Sequence, residues 1–312
     1  MALRLTGSML LKLLREVNLE ALKKEAEAPA RIVLHGNPEL VRKLQLRLGT
    51  QPWMSSLTDL SSKRKDDVLV SIYHASEQSE SVNAALSIVV GQTLPDVPKY
   101  HGILTLDETT DLEEVAASLL KAIPTEQRLS LARHVPLLRP AYARWLIDQT
   151  SSSNAVFAAS AGLAGVVPLL NIPLNVADII VLTKNQLIMA YKLALAEGKS
   201  GKPNELMKEV LSVLGGGLLF RQIARELVGL IPVWGILPKV VVAYGGTYVI
   251  GETVHLWASE GKTASAKQMA RFYKEARAKA QYWIAEVKKR GTKRALQQDN
   301  AKTKSAQKAE QT

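Results

Sequence analysis

Two long uncharged runs constrain this chain more than any other feature. Asn154 to Leu174 is 21 residues without a charge, and Leu227 to Gly251 is 25 residues with Lys239 alone. Runs of about 20 apolar residues match the length of a membrane-crossing helix. Yet Pro168 and Pro173 stand in the first run, and Pro232 and Pro238 in the second. Proline removes a backbone N–H and clashes with the preceding turn, so each run predicts a helix meeting a turn. The result is two helical hairpins. An apolar arm (Asn154 to Val167) meets one bearing Asp178, Lys184 and Gln186, and an arm bearing Arg221, Arg225 and Glu226 meets an apolar arm (Val240 to Trp257).

The turns of these hairpins are made of the wrong residues for water. Loops are rich in Gly, Ser, Asn and Asp because their backbone groups need solvent, but these contain Leu169, Leu170, Ile172, Val233, Trp234, Ile236 and Leu237. Leaving each large side chain wet forgoes about 1.5–3 kcal/mol of burial. Lipid, a partner protein or the chain's own fold must cover them, and the seven residues are the expected membrane or partner contacts. Asp178 and Gln186 are eight apart on one helical face, and buried polar groups need partners. They are expected to pair inside the bundle with Arg221 or Arg225, or else to line a solvated face.

Charge is unevenly placed. The chain carries a net +11, and from Lys262 onward 14 Lys/Arg stand against 4 Asp/Glu, a balance of +10. A basic tail on a near-neutral body calls for an anionic partner. Phe272, Tyr273, Tyr282 and Trp283 alternate there with Lys274, Arg277, Lys279, Lys288, Lys289 and Arg290. Aromatic and basic residues together suit an anionic lipid interface. Single-stranded nucleic acid is the disfavoured alternative, because the adjoining region is so apolar. Lys274, Arg277, Trp283, Lys288, Lys289 and Arg290 are the expected contacts. The chain has no cysteine, so disulfides, thiolate metal sites and cysteine nucleophiles are excluded.

At the other end, Met1 to Leu22 is leucine-rich but interrupted by Lys12, Arg15 and Glu16. It predicts short amphipathic helices, not a secretory signal, with Asn18 the N-cap of the second. From Ala30 the pattern alternates. Strands are expected at 31–35, 67–73 and 102–107, and helices from Asn37 through Leu48, at 82–90 and at 111–122. Strand and helix in alternation imply a small parallel sheet.

At the first strand-to-helix turn a phosphate-binding loop needs a second glycine, a lysine and a hydroxyl. Counting from Gly36, those places hold Val41, Arg42 and Lys43, and Pro38 and Glu39 spoil the cradle. Gly198-Lys199-Ser200 and Gly261-Lys262-Thr263 contain the tripeptide but follow helices, so they read as glycine stops. His35 and His74 fall at strand ends, where α/β folds place ligands, without acidic neighbours at metal-ligand spacing. No catalytic constellation and no cofactor are expected.

The stretch Gly162-Leu-Ala-Gly-Val-Val-Pro168, with Pro173, Asp178, Gln186 and Tyr191-Lys-Leu-Ala-Leu-Ala-Glu-Gly198, resembles the "domain of unknown function 697" family. So do Ile231-Pro232 and Gly246-Thr-Tyr-Val-Ile-Gly-Glu252. The resemblance covers roughly residues 150–262. In bacteria that helical domain is often attached to an Era-like GTPase, and some members are described as membrane proteins. It implies GTP hydrolysis, whereas the glycine-lysine-serine core and the Asn-Lys-x-Asp motif are absent from this chain.

The expected fold class is therefore α/β plus all-α: a small parallel-sheet, degenerate P-loop-like domain, then an apolar helical-hairpin bundle and a basic C-terminal helix and tail. The expected segments are 1–29 (amphipathic helices), 30–123 (degenerate GTPase-like domain), 124–152 (helical connector), 153–260 (four-helix domain), 261–290 (basic amphipathic helix) and 291–312 (disordered tail). The expected function is a non-enzymatic scaffold or adaptor, a pseudo-GTPase-like domain on a helical domain at the cytoplasmic face of the inner membrane. Self-association is left open. The alternatives are a soluble partner-binding helical module and a weak GTP-binding protein of the Era-like class.

Overall fold

In the computed structural model, the described residues are 15–28, 30–36, 70–74, 86–90, 103–106, 111–160, 176–214 and 238–309. Of those whose side chains are described, 87% are helical and none lies in a strand. The helices are α1 (Leu19–Glu27), α2 (Leu112–Ala122), α3 (Arg128–His134), α4 (Arg139–Ser160), α5 (Val176–Ala196), α6 (Pro203–Val213), α7 (Pro238–Glu260) and α8 (Ala266–Ala309).

Local chemistry sets their ends. Asn18 Oδ1 accepts the Ala21 N–H at 3.0 Å to start α1, and Asp111 accepts from Glu113 at 3.2 Å to start α2. Gly198 (φ 85°) ends α5, with its N–H on Leu195 O and the Lys199 N–H on Ala194 O. Gly261 (φ 68°) ends α7 in the same left-handed conformation.

The centre of the body is α7, packed against α4, α5 and α8. α4 and α7 run antiparallel: Ile147 meets Gly251, Asn154 meets Thr247, and Ala158 clusters with Ala243. Gly251 is required at its site, since a Cβ there would lie 2.6 Å from Ile147 Cγ1. Val240, Val249, Ile250 and Val254 of α7 are all buried in the same core as Tyr142, Tyr191 and Phe272.

The expected fold class is corrected by this arrangement. Four short strands, β1 (Ala30–Gly36), β2 (Val70–His74), β3 (Leu86–Val90) and β4 (Ile103–Leu106), pair parallel in the order β2-β1-β3-β4. A P-loop-like α/β domain is not shown. The helix that follows β4, assigned from the sequence to that domain, instead packs into the helical body. Val115, Ala116, Leu119 and Leu120 of α2 belong to the common core, with Val17, Leu19 and Ala26 from the amino-terminal segment. Among the residues with described side chains the protein is mostly all-α.

Smaller expectations change too. Residues 86–90, expected as helix, form β3 beside β1: Leu-Ser-Ile-Val-Val is short and rich in β-branched residues. α4 runs unbroken from Arg139 to Ser160, across the expected boundary at 152–153. Its first half carries Arg144 and Asp148 and its second half is uncharged, so one helix looks like two regions. Pro136 opens a 3-10 turn and Pro140 sits in the first turn of α4, where proline is tolerated. α8 continues to Ala309, replacing the disorder expected after Gly291 with a helix rich in Ala, Lys and Gln, all good helix formers.

Candidate functional site

The antiparallel packing collects several helix termini at one end of the body. α4 ends there at Ser160 and α7 begins there at Pro238, because Ala158 meets Ala243. α5 begins there, since Leu182 joins the same cluster and Asn154 Nδ2 reaches Leu182 O at 3.4 Å. α8 arrives antiparallel to α7. Met269 lies against Thr253, Glu275 against Tyr248, and Trp283 against Tyr244 with ring centroids 6.4 Å apart. Continuing that pairing sets Lys288 level with Pro238. From there α8 continues for roughly 30 Å, at about 1.5 Å per residue.

The large hydrophobics exposed among the described residues are Val156 (55%), Val181 (37%) and Tyr282 (70%). Val156 is four residues from the end of α4, and Val181 five from the start of α5. Tyr282 adjoins Trp283, opposite a residue six into α7. All three therefore sit within about 9 Å, along the helix axes, of this end. Lys289, exposed on α8, shares it.

Just inside lies a buried polar knot. Thr247 Oγ1 accepts from Asn154 Nδ2 at 2.9 Å and from Gln186 Nε2 at 3.0 Å, and donates to Ala243 O at 2.7 Å. Asn185 Nδ2 donates to Asn154 Oδ1 at 2.8 Å. The knot ties α4, α5 and α7 together at fixed register.

Of the residues singled out from the sequence, Gln186 is buried and bound to Thr247. Arg221, Arg225, Leu169, Leu170, Ile172, Val233, Trp234, Ile236 and Leu237 lie outside the described residues. Asp178 is in the first turn of α5. Trp283 is partly buried against the core, and Phe272 and Tyr273 are buried, so these aromatics are packing residues. Tyr282, one residue from Trp283, is the aromatic side chain left outside. Lys274 and Arg277 are further up α8, with Trp283 some 14 Å beyond Lys274 at about 1.5 Å per residue. Lys288, Lys289 and Arg290 fall at the level of the end itself. His35 and His74 lie at or next to the ends of β1 and β2, where the register sets His74 beside Leu34 and His35 beside Val89.

Sequence reasoning missed Val156, Val181 and the knot around Thr247. The signal was present as polar residues recurring at 154, 185–186 and 247 on otherwise apolar helices, but pairing them needs the crossing geometry.

No family model, curated protein or solved structure matches the chain. Among the described residues there is no helix long and apolar enough to cross a membrane, and no cluster of three or more His, Asp or Glu able to hold a metal.

Proposed function

We propose that the protein is a non-enzymatic scaffold or adaptor that attaches peripherally to an anionic lipid surface, at the cytoplasmic face of a membrane, through this end of its helical body. The observation that carries the reading is that Val156, Val181 and Tyr282, exposed on three different helices, lie at the same level along the body as Lys289. Exposed aliphatic and aromatic groups beside basic ones match the boundary between acyl chains and charged headgroups. The prolines and large apolar residues of segment 161–175, which joins α4 to α5, add to this, since both of its flanking helix termini lie at that end.

Flotation of the full chain with vesicles tests it. Binding to vesicles containing phosphatidylglycerol, with a salt-resistant remainder, is expected. Absence of binding at low salt would overturn it.

One observation favours a second reading. Val240, Val249, Ile250 and Val254 of α7 are buried inside the protein's own body, as in a partner-binding helical module. Failure to float would leave that reading in place.

A further inference from the structure

The face of α4 turned away from α7 carries a trough. Ile147 meets α7, and Trp145, Gln149 and Ser152 stand roughly half a turn round the helix from it. Ala117 and Leu120 of α2 face Ala141 and Trp145 of α4 across a hollow of about 440 Å³. Trp145 also lines a second hollow, of about 600 Å³, which continues past Gln149, Ser152 and Ser153 and opens at Val156.

The first hollow has a fixed wall and a charged rim. The Arg128 guanidinium stands 4.6 Å from the Trp145 ring centroid, held by its Nε bond to Ile123 O at 2.9 Å. Glu113, paired with Arg144 at 3.3 Å, and Glu114 lie on the rim, with Lys121 further along α2.

The chain itself supplies an occupant. Arg15 and Glu16 are helical and exposed, and Glu16 Oε2 is 3.5 Å from Lys184 Nζ of α5. The next residue of α5, Asn185, is bonded to Asn154 of α4 at 2.8 Å. Glu16 is thus held at the level of Ser153, where the trough ends. The preceding residues, 1–14, lie outside the described residues. At helical spacing their sequence sets Arg4, Ser8 and Lys12 on one face and Leu5, Met9 and Leu13 on another, flanked by Leu10 and Leu14. A helix over residues 2–14 is about 20 Å long, and the trough from Ala141 to Ser153 about 18 Å at the same rise. Laid along it from Ser153, that helix brings Arg4 level with Ala141, beside the hollow that Glu113 and Glu114 rim.

We propose that residues 2–14 fold back as an amphipathic helix into this trough, parallel to α4, with their leucines against Leu120 and Trp145 and Arg4 beside Glu113 and Glu114. The short tether gives an effective concentration on the order of mM, so a modest affinity keeps the segment seated. Val156 at the open end, and Val181 and Tyr282 on other helices, are left clear. The docking is therefore independent of any lipid contact.

The chain lacks cysteine, so Ser8→Cys, on the basic face of the segment, and Ala278→Cys, exposed on α8 and away from the trough, can carry spin labels in the full chain without vesicles. One narrow distance distribution is expected. Gln149→Arg with Ser153→Arg, both exposed, fills the trough with bulk and positive charge and should broaden it, with circular dichroism checking the fold. If that variant does not fold, Leu5→Asp with Met9→Asp in the segment should broaden it instead. A broad wild-type distribution overturns the proposal, as does a narrow one that these substitutions leave unchanged. A distribution that narrows only on adding phosphatidylglycerol vesicles also overturns it, since the segment would then belong to lipid. Failure of the full chain to float, with the narrow distribution intact, would overturn the lipid reading alone.

Discussion

Ile147 of α4 fills the space directly in front of Gly251 of α7, leaving 2.6 Å between its Cγ1 and the point a Cβ at 251 would occupy. The contact fixes how closely the two central helices approach. Gly251→Ala should therefore destabilise the protein by roughly 1 kcal/mol. Overpacking costs about 1–3 kcal/mol, and the alanine recovers up to about 1 kcal/mol of helix propensity. Urea unfolding measures it. Ile147→Ala alone should cost about 2–5 kcal/mol, and the double variant less than the sum, because the new methyl enters the vacated space.

Thr247 is the common acceptor for Asn154 and Gln186 in the interior. Thr247→Val keeps the volume but removes the oxygen, stranding two amide donors away from water. An expected loss of about 2 kcal/mol follows from the cost of unsatisfied buried groups. The same unfolding assay reads it, and a loss below about 0.5 kcal/mol would show that the knot does not fix the register of α4, α5 and α7.

How much of this was legible in the sequence depends on the range of the interaction. Asn18 and Asp111 as N-caps, and Gly198 and Gly261 as helix stops, follow from bonds within a few residues, so the chain displays them directly. The place of α7 does not. A helix with buried valines and isoleucines along most of its length suits the centre of a bundle or lipid equally, and only its burial between α4, α5 and α8 separates the two. Gln186 was recognisable as an inward polar group, but its partner Thr247 is 61 positions away. The basic helix offered four aromatics. Phe272, Tyr273 and Trp283 turn to the core while Tyr282 turns out, a choice set by where α7 lies.

His134 makes the stability of the fold depend on pH. Burial first, then the charges of Arg133 and Arg139, push its imidazole down to about 4. Both arginines are anchored nearby: Arg133 Nη1 donates to Leu195 O at 2.7 Å and Lys199 O at 2.9 Å, and Arg139 Nη2 to Arg133 O at 3.0 Å. The unfolded chain takes up the proton near pH 6.5, so this contribution is intact above that value and is lost as pH falls through about 4. Between pH 7 and 4.5 the loss should be roughly 2 kcal/mol after allowing for the partial exposure of the ring. His134→Gln should remove it, leaving a shallower decline in urea midpoint against pH.

At the end of the body proposed to meet lipid, apolar and electrostatic contributions should separate. Val156→Asp with Val181→Asp alters two exposed side chains, so the fold should survive, which circular dichroism checks. This pair should abolish the salt-resistant part of vesicle flotation. Reversing Lys288, Lys289 and Arg290 to Glu should instead remove the salt-sensitive part. At about 1 kcal/mol per basic residue near an anionic surface, neutralising three would lower partitioning by roughly a hundredfold, and reversal by more. The two effects should combine, because an amphipathic attachment sums buried area and headgroup attraction. If the aspartate pair floats like the wild-type chain while the charge reversal does not, the apolar end is not in contact with lipid. The attachment would then rest on α8 alone, and Val156 and Val181 would belong to a surface that meets protein.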